Sequence, residues 1–137
     1  EPLLVSYPKA IKPGQRLAEP VVSTDIFPTV LGLADLPLLP KQHLDGVNLA
    51  PLLEGTSSKL DRQALFFHLP HYHHSTPASA VRRGPWKLIE FLEDGRLELF
   101  SLAEDPGEQV NLAAREPARA AALRSPWPPS CRLRCSC

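Results

Sequence analysis

The chain has no methionine, no net charge and no long apolar run, and each absence closes off a class of reading. A complete, unprocessed translation product opens with methionine; this sequence opens with Glu1, as a processed chain or a fragment does. Fifteen basic and fifteen acidic side chains cancel, so no strong field draws the chain to nucleic acid or to an anionic membrane surface. No stretch approaches the roughly 20 apolar residues that cross a bilayer. No basic-then-apolar leader marks export. Cysteine is missing from the body of the chain, since Cys131, Cys135 and Cys137 all lie at its very end. Their C-x3-C-x-C spacing fits neither a zinc knuckle nor a CxxC redox pair, and residues 125–137 read as a disordered or aberrant tail. Nucleophile motifs are missing too. There is no G-x-S-x-G elbow, no phosphate-cradling glycine loop and no HExxH, so the residues alone show no reaction centre.

Proline, by contrast, is abundant: 16 of 137 residues, about twice the usual ~5%. Spread along the chain, these prolines cut it into short elements joined by stiff loops and exclude long helices before Arg115. Apolar content of 43% and charged content of 22% are ordinary for a globular domain. The interleaved apolar runs therefore favour a folded, loop-rich layer over disorder. A chain of this length buries roughly two thirds of its unfolded surface.

The most informative stretch runs from Ala80 to Leu112. Two apolar strands fold back at Glu93-Asp94-Gly95-Arg96, where Asp-Gly supplies the positive φ that a tight hairpin demands. Trp86, Leu88 and Leu92 fall on one side of the first strand, Ile89 and Phe91 on the other; Leu97 and Leu99 oppose Phe100 and Leu102 in the second. A sheet with one wet face alternates cleanly, so this one is expected to be covered, in part, on both sides. Elsewhere, Leu3–Tyr7 reads as a short strand and Lys12-Pro13-Gly14 as a turn. Ser23-Thr24-Asp25 offers N-cap side chains before a helix over IFPTVLGLA with an apolar stripe of Ile26, Val30, Leu31 and Leu33. Leu49–Leu53 is a brief apolar piece closed by Gly55, Ala64–Leu69 a strand, and Glu116–Arg124 a helix entered at Pro117.

Four histidines, His68, His71, His73 and His74, crowd into FFHLPHYHH. Histidines this close can ligate a metal or donate hydrogen bonds to an anionic substrate near neutral pH. The upstream carboxylates Asp45 and Asp61 need not be near, and the competing reading is a polar loop with His68 bonded to backbone. Substrate contact by His68 or His71 outweighs metal binding. Arg82, Arg83 and Lys87 have the donors to grip a sulfate or phosphate; the favoured alternative points one of them to solvent and pairs another with Glu90 or Glu98 across the hairpin. Asp105 is expected to cap a turn rather than to catalyse.

Taken in order, EPLLVSYPKAIKPGQ, VVSTDIFPTVLGLADLPL, LDGVNLAPLLEG, RQALFFHLPHY, AVRRGPWKLIEF and LELFSLAEDPGEQVNLA resemble the C-terminal third of the type I sulfatases, in the alkaline-phosphatase-like superfamily. The likeness covers Glu1 to about Leu123, and a frameshifted or truncated end would account for the tail that departs from it. The resemblance implies an α+β fold, a small antiparallel sheet with a C-terminal helix, forming the C-terminal subdomain of an α/β alkaline-phosphatase-like enzyme. Residues 1–60 would close the large domain and its connecting loops, and 61–124 would form the subdomain. It further implies a sulfuric ester hydrolase using a formylglycine and a calcium ion, both held in the N-terminal part. The C/S-x-P-x-R source of formylglycine does not occur here, so no catalytic residue and no metal ligand is assigned. The chain alone is expected to be inactive. His68 and His71 match the loop that lines the family's substrate pocket and are the site residues expected here. The partners implied are the N-terminal sulfatase domain and a sulfate ester, in an exported or lysosomal setting. Two alternatives stand beside it: a non-catalytic binding or scaffold module of the same fold, and the C-terminal part of a related phosphodiesterase or phosphonate hydrolase.

Overall fold

The computed structural model describes residues 2–42, 44–72 and 76–125. It divides into two compact units, Glu1–Arg62 and Gln63–Cys137. The three cysteines and the tail lie outside the described residues, as do His73 and His74.

The N-terminal unit is built on loops and two short helices, α1 (Ile26–Leu33) and α2 (Ala50–Leu53), with a 3-10 turn at Ser23–Asp25 leading into α1. At its centre is a carboxylate. Asp25 is 0% exposed. Its two oxygens accept the N–H groups of Val22 (2.9 Å) and Val47 (3.0 Å) and both amino groups of Arg62 (2.7 and 3.0 Å). Burial by itself raises a carboxyl's pKa, but the Arg62 guanidinium and the two backbone donors outweigh it and hold Asp25 below the usual carboxylate value. Arg62 also donates to the Pro20 carbonyl. One helical turn on, the Thr29 hydroxyl donates to the Asp25 carbonyl and accepts the Leu49 N–H. Three loops are thus pinned to one helix start. Gly46 is required in this arrangement, because a Cβ there would sit 2.2 Å from the Thr24 carbonyl oxygen.

Two expectations fail in this unit. The helix over 26–33 forms, but its apolar stripe is not its buried face: Ile26 is 49% and Val30 57% exposed, while Pro28 and Thr29 are buried. The inward side is selected by the Asp25–Thr29 hydrogen bonds, not by hydrophobicity. Leu3–Tyr7 is not a strand. It is paired to no ladder among the described residues, and Leu4 is 90% exposed; apolar β-propensity needs a neighbouring strand to become structure.

The C-terminal unit is a four-stranded antiparallel meander, β1 (Leu65–Leu69), β2 (Ala78–Arg83), β3 (Trp86–Phe91) and β4 (Leu97–Ser101), followed by α3 (Pro117–Arg124). Register pairs Val81 with Leu88 and Leu88 with Leu99. All three are fully buried, and Ala120 and Leu123 of α3 close over them. Burying side chains of this size is worth about 1.5–3 kcal/mol each. At the rim, the Arg119 guanidinium lies over the Trp86 ring at 4.1 Å. Asn111 stands in for a fifth strand on the open edge of β4, its Oδ1 accepting the Leu99 N–H and its Nδ2 donating to the Leu97 carbonyl.

The hairpin at 93–96 forms as its sequence implies, with Gly95 at φ +71 taking the left-handed position; Asp94 does not. The sheet is covered unevenly. On the helix side Val81, Leu88 and Leu99 are buried while Phe66, opposite Val81, stays 39% exposed, and on the other side Leu65 and Phe100 are buried but Phe67 remains 50% exposed. Sequence reading missed β2, whose small and cationic residues lack an apolar strand pattern. The expected pairing of the basic residues with Glu90 or Glu98 is also wrong: Lys87 binds both oxygens of Glu108 at 2.7 Å. Glu98 pairs with Arg96, and the buried Glu90 is held by Arg124 from α3.

Candidate functional site

An antiparallel meander puts alternate connections at the same end of its sheet. The β1–β2 connection (residues 70–77) and the β3–β4 turn (92–96) therefore share one end, and the β2–β3 turn at Gly84-Pro85 lies at the other. The two connections are joined. The Tyr72 hydroxyl donates to the Glu93 carboxylate, and the Leu92 N–H bonds to the Pro77 carbonyl at 2.9 Å.

His68 stands on β1 one residue before this end, and His71 is exposed in the connection itself. The His68 Nδ1 lies 2.7 Å from the Ser79 Oγ, since register places these residues opposite one another. The competing reading gave the His68 ring a backbone partner; its partner is instead a side chain. With Nδ1 engaged, Nε2 is the nitrogen left to meet a ligand, as donor or acceptor according to tautomer. A serine beside a histidine suggests a nucleophile and its base, but Ser79 is 1% exposed and offers no approach to a reacting carbonyl or sulfur. The pair positions an imidazole; it does not attack. His71 makes no hydrogen bond or ion pair with another described residue. Tyr72, Ser79 and Glu93 were not singled out from the sequence, because their relevance depends on strand register and on which connections meet. The one available signal was the proximity of Tyr72 to the histidines in HLPHY.

Of the four histidines considered for metal binding, His73 and His74 lie outside the described residues. Among the described residues no three of His, Cys, Asp and Glu come together as a metal site would require. Asp45 and Asp61 are exposed in the N-terminal unit. Asp105 caps a turn as expected, its Oδ2 accepting the N–H groups of Gln109 and Val110.

Comparison with known proteins gives this end of the sheet a context. Residues 1–124 match the family model described as N-sulphoglucosamine sulphohydrolase, C-terminal. The human steryl-sulfatase is 42% identical over 96 residues, covering 66% of this chain and 16% of that protein. The arylsulfatase A of Bos taurus is 36% identical over 134 residues, covering 82% of this chain and 26% of that protein. A structure solved in complex with its substrate D-glucosamine-2-N,6-O-disulfate superposes with a TM-score of 0.74 at 29% identity, covering 87% of this chain and 25% of that one. The chain thus spans about a quarter or less of the length of these relatives.

Proposed function

The chain belongs to the sulfatase family, in its N-sulphoglucosamine sulphohydrolase C-terminal part, and from that premise we propose that it forms the C-terminal portion of a sulfuric ester hydrolase. In this role the sheet end carrying the 70–77 connection and the 92–96 turn shapes one wall of the substrate cleft. His68, with Nδ1 anchored on Ser79, and the unengaged His71 contact the group that bears the sulfate. The observation that carries this reading is the match of residues 1–124 to the family, joined to a histidine whose ring is fixed by a buried hydroxyl. The partner is the remaining sulfatase domain, and the setting is exported or lysosomal.

The family resemblance brings a formylglycine and a calcium ion, which would supply a hydrated aldehyde nucleophile and charge neutralisation at the sulfate. The described residues do not fit either group: they gather no ligand set, and the sequence has no C/S-x-P-x-R. No step for this chain runs through them. Its own contribution is to bind and orient.

The test replaces the matching quarter of bovine arylsulfatase A with this chain and assays a chromogenic sulfate ester. His68→Ala and His71→Ala are expected to raise KM about tenfold each while kcat stays within about twofold, the signature of lost binding common to ground and transition states. Turnover by the isolated 137-residue chain, or an unchanged KM in both variants, would overturn the reading.

A further inference from the structure

The two histidines of the candidate site are held in different ways. His68 belongs to β1, and its ring is fixed on Ser79. His71 lies two residues past the last ladder pair, Leu69 with Ala78, and is exposed. Its side chain makes no hydrogen bond or ion pair with another described residue. An exposed loop side chain samples many positions, and ordering it on binding costs affinity. What places His71 is therefore whatever holds the backbone on either side of it. On one side is Pro70, whose ring fixes its own φ and restricts Leu69 before it to extended backbone. On the other is Tyr72, whose hydroxyl donates to the Glu93 carboxylate of the β3–β4 turn.

Glu93 is a firm post for this bond. Its turn is closed by the Gly95 N–H on the Phe91 carbonyl and the Phe91 N–H on the Arg96 carbonyl, both 2.9 Å. Within the turn the Asp94 Oδ1 accepts the Arg96 N–H at 2.9 Å. Leu92, the residue before Glu93, is buried and donates to the Pro77 carbonyl. A hydroxyl donating to a carboxylate makes one of the stronger kinds of hydrogen bond. Here it ties one connection to the other across 21 residues of chain. Neither partner is suited to hold a sulfate itself. Glu93 carries the same sign as a sulfate ester, which disfavours direct contact, and the Tyr72 hydroxyl is spent on Glu93.

We propose that Tyr72 and Glu93 are positioning residues: their hydrogen bond ties the backbone beside His71 to the β3–β4 turn and so presents the His71 imidazole to the group that bears the sulfate. The proposal rests on the functional reading above and adds to it the pair that orders one of its two histidines before the ligand arrives. Both residues act through His71. Because both are exposed, replacing them does not threaten the fold.

The test has two readouts. The first is NMR relaxation of the backbone amides in the 137-residue chain. In the parent, the His71 and Tyr72 amides are expected to show order parameters of about 0.85, the value of rigid backbone. Tyr72→Phe and Glu93→Ala are each expected to lower both below about 0.6 while the Leu99 amide stays rigid. Glu93→Gln, whose amide oxygen still accepts a hydroxyl, is expected to recover most of the order. Unchanged order at His71 in Tyr72→Phe and Glu93→Ala overturns this proposal alone.

The second readout is turnover of a chromogenic sulfate ester by the arylsulfatase A chimera described above. Tyr72→Phe and Glu93→Ala are each expected to raise KM about fivefold with kcat within about twofold, and the double variant to do no more than either single one. In a His71→Ala background, Tyr72→Phe is expected to change KM less than about twofold, because the ring it places is gone. A further severalfold rise in that background means that Tyr72 meets the ligand itself, and overturns the proposal. So does an unchanged KM in His71→Ala when His68→Ala raises it. An unchanged KM in both histidine variants overturns the functional reading, and this inference with it.

Discussion

The two units of this chain solve the same problem with different balances of apolar burial and directed polar contacts. In the C-terminal unit, Val81, Leu88 and Leu99 are 0% exposed and a helix closes over them, and the polar side chains Ser79, Glu90 and Ser101 are buried too. In the N-terminal unit a carboxylate, Asp25, is 0% exposed, Pro28, Leu49, Ala50 and Leu52 are buried as well, and large apolar residues such as Leu44 (82%) and Val30 (57%) face outward. A segment cut by prolines cannot form a sheet or a long helix, so its backbone donors must be satisfied one at a time. Asp25 and Thr29 do this by accepting N–H groups from Val22, Val47 and Leu49. Order in a proline-rich layer is set by directed hydrogen bonds. Order in the sheet is set by undirected burial.

The contrast breaks most sharply at Arg62. Its side chain is 12% exposed and Asp25 is fully buried, so Arg62→Met leaves a carboxylate without its counter-charge. Removing one partner of such a pair costs about 3–5 kcal/mol. The loss should appear as faster hydrogen exchange at the Val47 and Leu49 amides, with the Leu99 amide of β4 changed far less. Equal loosening of all three would mean that the two units unfold as one. The converse substitution, Leu88→Ala, takes a wholly buried side chain from between Val81 and Leu99, at a cost of about 2–5 kcal/mol. Urea unfolding followed by Trp86 fluorescence should report it, with Val47 exchange unaffected at low denaturant.

What could be read from the sequence divides along the same line. The 93–96 hairpin and the helix entered at Pro117 were legible, because Asp-Gly and a proline followed by alanines act locally and the apolar pattern agrees with them. The 26–33 helix was legible as an element but not in its orientation. Hydrophobic periodicity assumes an apolar core, and here Asp25 and Thr29 face inward instead. β2 escaped notice since Ala78–Arg83 lacks large apolar residues. At the candidate site, the crowding of His68 and His71 was visible. The Ser79 partner was not, because it is eleven residues away and reaches His68 only through strand register.

The smallest effect to look for separates the units by pH. The folded pKa of Asp25 is depressed, because the Arg62 guanidinium and two backbone donors outweigh burial. A depressed carboxyl contributes stability that is complete above its unfolded value, near 3.9, and is lost as pH falls through the folded value. Protection of the Val22 and Val47 amides should therefore hold from neutral pH down to about 4 and weaken below it. The buried apolar trio of the sheet contains no titrating group, so the Leu99 amide should keep its protection further into acid. In Arg62→Met the balance changes: burial then opposes the charge with only backbone donors against it, and the acid-side loss at Val22 and Val47 should shrink. An undiminished acid limb in that variant would show that the two N–H groups, rather than the guanidinium, hold the carboxyl in its charged form. The N-terminal unit would then owe its order to its backbone geometry and not to the ion pair.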